Sequence, residues 1–181
     1  MGKRMKLALS VLTVALFLSV ASNAMAISLN YASLTGSTVT FTGTGDTFVF
    51  NPESGGFDFA IGSVSDGTGS AVGFNGRIEG TFTIGSITTL APGYQTASVT
   101  GPGTLSIFDG TTSLTASLDW VSIYTLNTTG GINAGGDVNL TSISYSGTDA
   151  DLLALATLGA GSGVANATFN FVPALSLTQL T

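Results

Sequence analysis

The side chains of this chain that could do chemistry are nearly all oxygen acids: ten Asp and Glu, with no His and no Cys. Two carboxyls flanking a sugar can cleave a glycosidic bond, one as acid and the other as base or nucleophile. Glu79 and Asp119 are the acids most clearly set in alternating stretches. Nothing beyond acid count supports hydrolysis, so no catalytic residues are expected and the chain is read as a non-enzyme. Loop acids could instead hold calcium, which takes oxygen ligands. Asp66, in Asp66-Gly67-Thr68-Gly69, and Asp137, in Gly135-Gly136-Asp137-Val138, are the candidate ligands. No EF-hand spacing accompanies them, and calcium is the only cofactor considered. Asp46, Glu53, Asp58, Asp66, Asp109, Asp137, Asp149 and Asp151 lie mostly in or beside turns. Asp favours turns because its side chain hydrogen-bonds the local backbone, and that is the simpler account of them.

Aromatic faces with polar edges suit sugar rings. Tyr94 and Trp120 are the ligand-binding candidates, with Tyr124 and Tyr145 of the same type. Tyr94 follows Pro92-Gly93 and is expected at the surface. Trp120 continues the parity of Leu114, Ala116 and Leu118, which points it toward the core.

Several chemistries are excluded. Without His or Cys, neither a Ser-His-Asp nor a Cys-His apparatus can form, and the usual zinc, copper and non-haem iron ligands are missing. No Lys follows position 6, so phosphate neutralisation and nucleic-acid binding are not expected. A Lys-Asn isopeptide crosslink is likewise impossible there. Stability must come from packing and hydrogen bonds, with no disulfide to help.

These side chains must be positioned by a fold, and the N-terminus reads as lying outside it. Lys3, Arg4 and Lys6 precede the apolar run Leu7–Ala21, and Ala24-Met25-Ala26 is a small-x-small cleavage site. That order marks a secretory signal peptide, expected to be cleaved after Ala26. Cleavage would move the net charge from −6 to −9 and leave Arg77 as the only basic side chain. Residues 27–181 are then expected to form a single domain, exported to the medium or cell surface, with no stable membrane span.

Short alternating runs fill that domain. Ser37–Phe50 (STVTFTGTGDTFVF) reads as a hairpin broken by Gly43-Thr44-Gly45-Asp46. Further strands are expected at Ile27–Ser33, Phe57–Ile61, Arg77–Ser86 and Tyr94–Thr100, with Gly101-Pro102-Gly103 ending the last of these. Gly62–Gly76 and Asn127–Gly136 read as loops. Thr104–Leu118 is a second hairpin around Asp109-Gly110. Its second strand is expected to run on through Tyr124, where both faces turn apolar as at a sheet centre. A parity slip near Thr141-Ser142 predicts a bulge. Asp149–Leu158 is the single helical candidate, and Ala165–Val172 the closing strand. About ten strands with frequent turn signals and no fixed repeat predict an all-β antiparallel sandwich or jelly-roll-like fold.

Other readings of this pattern are weaker. Most of the expected strands are shorter than the roughly 9–11 residues of an outer-membrane barrel. The T-x-T runs at Thr38–Thr42 and Thr81–Thr83 resemble ice-binding faces but are too few to stack in register. The N-x-[ST] matches at Asn127, Asn139 and Asn166 are short enough to arise by chance.

In texture the mature chain resembles exported Thr/Ser/Gly-rich, Cys-free bacterial proteins of the PEP-CTERM-associated type. The features are the signal peptide, VTFTGTGDTFVF, the Gly101–Ser106 run GPGTLS and the closing ATFNFVPAL. The family's sorting tail is a Pro-Glu-Pro motif, a hydrophobic helix and a basic end. Leu177–Thr181 carries none of these, so anchoring by that route is not expected. The resemblance implies a surface or matrix-associated β-domain and carries over no catalytic residue. The expected function is a non-catalytic structural role in an extracellular matrix, with carbohydrate binding as the alternative. Expected partners are the chain itself, through an edge strand, or an extracellular polysaccharide.

Overall fold

The computed structural model describes residues 27–43, 45–126, 134–158, 161–169 and 174–181. The expected signal peptide and the boundary after Ala26 lie outside the described residues. The chain forms β1 (Ser28–Ser33), β2 (Thr38–Thr42), β3 (Thr47–Asn51), β4 (Phe59–Ser65), β5 (Asn75–Gly80), β6 (Phe82–Ile84) and β7 (Thr88–Ala91). It continues through β8 (Tyr94–Thr100), β9 (Pro102–Phe108), β10 (Ser113–Leu126), β11 (Ala134–Ser144), α1 (Ala150–Leu158), β12 (Gly163–Phe169) and α2 (Leu177–Leu180). Every strand pairing is antiparallel. The fold is the expected all-β, sandwich-like one.

β10 organises it. Its fourteen residues pair with β11 along one edge, from Thr115 opposite Ser144 to Thr125 opposite Ala134. Along the other edge β9 pairs with its first half and β8 with its second. The expectation that this strand runs on past Leu118 into the sheet centre is met. Its two-sided apolar look has a different cause, however. A register shift between Trp120 and Ser122 reverses the parity, so Trp120 and Ile123 both point inward while Val121 is 50% exposed.

The sheet divides at Gly101. From β9 it continues through β5 and β4 to β1, and from β8 through β6 and β3 to β2. β8 and β9 are therefore one run of chain that changes layer, and so are β5 and β6. Strands that switch layers need a bend or bulge at the corner. Gly101 (φ +122°) and Gly80 (φ +145°) supply it in a region that L side chains avoid. A Cβ on Gly101 would lie 2.4 Å from the Thr81 carbonyl oxygen. Gly101-Pro102-Gly103 ends β8 at Thr100 as expected, and β9 starts at once at Pro102, so the break is a corner between two strands that both pair with β10.

The core lies under this corner. Phe48, Phe82, Ile84, Val99, Leu118, Trp120, Ile123 and Val138 are all buried in one cluster. Phe48 packs edge-on to Trp120 at 5.1 Å between centroids, and Phe82 lies 5.4 Å from it.

Both short helices close onto the sheets. Asp149 caps α1, its Oδ1 accepting the N–H groups of Asp151 (3.1 Å) and Leu152 (3.0 Å). Leu152 is buried and Leu158 exposed, so the three-residue leucine spacing does not trace one inward face. The second helix, α2, was not expected. Its Leu177 is buried, with the N–H donating to the Thr125 hydroxyl at 3.0 Å.

Elsewhere the loops are shorter than composition suggested. β4 reaches Ser65 because β1 pairs with it that far, and β11 starts at Ala134. The predicted bulge is present: the register shifts beside Ser144 and Thr141, and Ser142 has φ 54°. The last residues expected in the closing strand, from 170 on, lie outside the described residues. Among the described residues no helix is long and apolar enough to cross a membrane.

Candidate ligand-binding face

Directly opposed residues in a sheet point to the same face, so the registers assign each candidate. On β10 the outward residues before the parity reversal are Ser113, Thr115, Ser117 and Asp119. After it they are Ser122, Tyr124 and Leu126, opposite Ser98, Thr96 and Tyr94 of β8. On the other side Ser122 faces Asp137 and Tyr124 faces Gly135 of β11, which in turn face Asn166 and Thr168 of β12. One outward face thus carries Tyr94, Thr96, Ser98, Ser122, Tyr124, Asp137, Asn166 and Thr168.

Tyr94 and Tyr124 meet on that face. Their rings are 6.1 Å apart and inclined at 53°, forming a shallow half-buried V across two strands. Gly135 makes room for it: a Cβ there would fall 2.5 Å from the Tyr124 hydroxyl, so the phenol lies across bare backbone. Beside the pair, the Ser122 hydroxyl donates to Asp137 Oδ2 at 3.1 Å. Further along the strands, Val99, Thr100, Gly101, Pro102, Asp119 and Trp120 line a shallow, open depression of about 360 Å³.

Trp120 lies in the core, where its parity with Leu114, Ala116 and Leu118 pointed it. It is 6% exposed and stacks among Phe48, Phe50 and Phe82, so it serves the core and only lines the depression. Tyr94 stays a surface candidate and gains Tyr124 as its neighbour. The sequence named Tyr124 as an aromatic of the right type, yet its pairing with Tyr94 depends on the parity reversal at Val121, which no local signal marks.

Glu79 and Asp119 share the outward face, because Glu79 opposes Thr104 and Thr104 opposes Ser117. β9 alone lies between their strands, and two interstrand spacings with an offset of two residues place their α-carbons roughly 12 Å apart. Glu79 is also drawn to Arg77, its Oε1 lying 3.0 Å from the guanidinium.

Asp66 and Asp137 fall in different settings. Asp137 lies mid-strand on the face just described. Asp66 adopts φ 57° in the connection between β4 and β5. The Thr68 and Ala71 N–H groups of that connection point at Asp151, donating at 2.6 and 3.1 Å. Among the described residues no three Asp or Glu converge as a metal-binding group. Compared with known proteins, the chain matches no family model, no curated protein and no solved structure.

Proposed function

We propose that this chain is an exported, non-catalytic β-domain of an extracellular matrix that engages polysaccharide through the outward face of β8, β10, β11 and β12. The observation that carries this reading is the Tyr94–Tyr124 pair, set on a rigid sheet among hydroxyl and amide groups. Tyrosine rings offer an apolar face to the C–H side of a sugar and a polar rim to its hydroxyls. Thr96, Ser98, Ser122, Asn166 and Thr168 supply donors and acceptors beside them without positive charge. Along β10 the face extends roughly 45 Å, long enough for several sugars of a chain. At its other end Phe57 and Phe108 stack at 6.3 Å with rings inclined by 16°. Asp119, Asp137 and Glu79 outnumber Arg77 on this face, which favours neutral over anionic glycans.

Affinity electrophoresis through gels loaded with neutral or uronate-rich polysaccharides tests the reading. Retardation is expected in a neutral gel, and Tyr94→Ala should weaken it about tenfold, equivalent to roughly 1.4 kcal/mol. Equal mobility in every gel, or retardation untouched by Tyr94→Ala and Tyr124→Ala, overturns it.

A further inference from the structure

Three places in the chain put Gly directly after Asp or Asn: Asp66-Gly67, Asn75-Gly76 and Asp109-Gly110. Gly presents the least hindered main-chain nitrogen, so the side-chain carbonyl carbon of the preceding residue can be attacked there to close a five-membered imide. The structure treats the three places differently. Asn75 and Gly76 lie in β5, paired with both β4 and β9, and the ladder holds them extended. Asp109 is held at both oxygens. Its Oδ1 accepts the N–H groups of Thr111 (2.6 Å) and Thr112 (2.7 Å), and its Oδ2 accepts the Tyr145 hydroxyl. Asp66 and Gly67 are exposed, in the connection between β4 and β5. Among the described residues nothing hydrogen-bonds the Asp66 carboxyl, and the Gly67 N–H has no acceptor.

The main chain at Asp66 is also set for the reaction. Closing the imide rotates ψ to about −120°, which eclipses Cβ with the next nitrogen, and with φ at about +60° that is the first central residue of a type II′ turn. Asp66 already has φ 57°, whereas neither Asn75 nor Asp109 has a positive φ. Only the peptide plane between Asp66 and Gly67 has to turn, and a glycine tolerates the change.

We infer that Asp66 is a site of spontaneous isoaspartate formation, whose product loosens the tie between this connection and α1. The Gly67 nitrogen attacks Cγ of the protonated Asp66 carboxyl. A C–N bond replaces the C–OH bond, and the hydroxyl leaves with the Gly67 proton as water. Water then reopens the imide. Addition at Cγ restores Asp66, and addition at the main-chain carbonyl carbon leaves the chain running through the former side chain. Water is the only co-reactant, and the mass is unchanged. The product carries an extra methylene in the main chain just before Thr68, whose N–H and hydroxyl donate to Asp151 Oδ1 at 2.6 and 2.9 Å. The chain is close-packed at this point, since a Cβ on Gly67 would lie 2.7 Å from that same oxygen. This inference does not depend on polysaccharide binding.

The sequence supplies the control, because Asp66-Gly67-Thr68 and Asp109-Gly110-Thr111 are the same tripeptide. Protein produced from the full chain is aged warm at mildly acidic pH in water enriched in heavy oxygen, either folded or in concentrated urea. Each passage through the imide adds one heavy oxygen, read at each site by peptide mapping. Electron-transfer fragmentation separates isoaspartate from Asp. In urea the two sites should label within about threefold of each other, since the unfolded chain holds neither. In the folded protein Asp66 should label at least about tenfold faster than Asp109, because each hydrogen bond that the Asp109 carboxylate must give up raises its barrier. The fraction carrying isoaspartate at position 66 should unfold at a lower urea concentration than fresh protein. Equal folded rates at the two sites overturn the inference, as does a folded Asp66 that stays unlabelled while urea labels both. An aged fraction as stable as fresh protein overturns the loosening.

Discussion

Two buried carboxylates show how one residue type takes opposite roles. Asp151, 1% exposed, joins α1 to the connection between β4 and β5. Burial pushes its carboxyl up, but N–H groups of Thr68 and Ala71 and hydroxyls of Thr68 and Ser70 outweigh this and hold it below the usual range. Asp151→Ala would strand the buried Ala71 N–H and the Thr68 N–H. It should cost about 2–3 kcal/mol, read as a lower urea midpoint at unchanged slope. Asp58, 5% exposed, is held the other way. Its Oδ2 accepts the Ile78 N–H at 2.7 Å, yet burial dominates and raises its carboxyl above the usual range. Both residues were legible as turn acids. Their partners were not, since Thr68 lies 83 positions from Asp151 and only the fold brings them together.

At the scale of elements, hairpin signals were reliable because they are local. Ser37–Phe50 and the Asp109-Gly110 turn formed where expected, since turn geometry and two flanking strands suffice to define them. The glycines at the layer change were legible as glycines but not as a corner. The Gly-Pro-Gly run does end β8, but that β9 starts directly after it and pairs with the same strand β10 is decided by the sheet. Gly101→Ala would place a methyl against backbone at a φ of +122°. It should destabilise by more than about 1 kcal/mol. Trp120, the only tryptophan, packs against Phe82 beneath this corner and would report the loss as a lower thermal midpoint by fluorescence. The bulge near Ser142 was legible as a parity slip between apolar residues. The one at Val121 was not, because Val121, Ile123 and Tyr124 give no unbroken parity to slip from.

The whole molecule is acidic, and its response to pH should have two limbs. Asp58 is raised, so the folded state binds its proton first and gains stability as pH falls through that raised value. Neutralising some of the excess acids also lessens self-repulsion. The opposite limb comes from lowered groups. Asp109 is lowered chiefly by the Tyr145 hydroxyl, and Glu53 chiefly by the Gly55 N–H; Asp151 is lowered as described. Their contribution is fully present above the ordinary values, 3.8 for Asp and 4.5 for Glu, and is lost as pH falls through the lowered folded ones. Stability from urea titrations should therefore rise modestly as pH falls from 7 toward the ordinary carboxylate values, and drop at pH below them. Asp58→Asn should flatten the rise and leave the fall in place.

Composition and alternation by themselves determined that this is an all-β chain with short hairpins, one helix before the last strand, and no His or Cys. Those properties are local, or are simple counts, and need no knowledge of which strands meet. Tertiary structure decided that Tyr94 finds Tyr124, that Glu79 and Asp119 sit on strands separated by β9, and that β2 is last in the strand order. Each depends on strand order and register. A single bulge reverses every side chain beyond it, and pairing joins residues whose separation along the chain carries no trace of their contact.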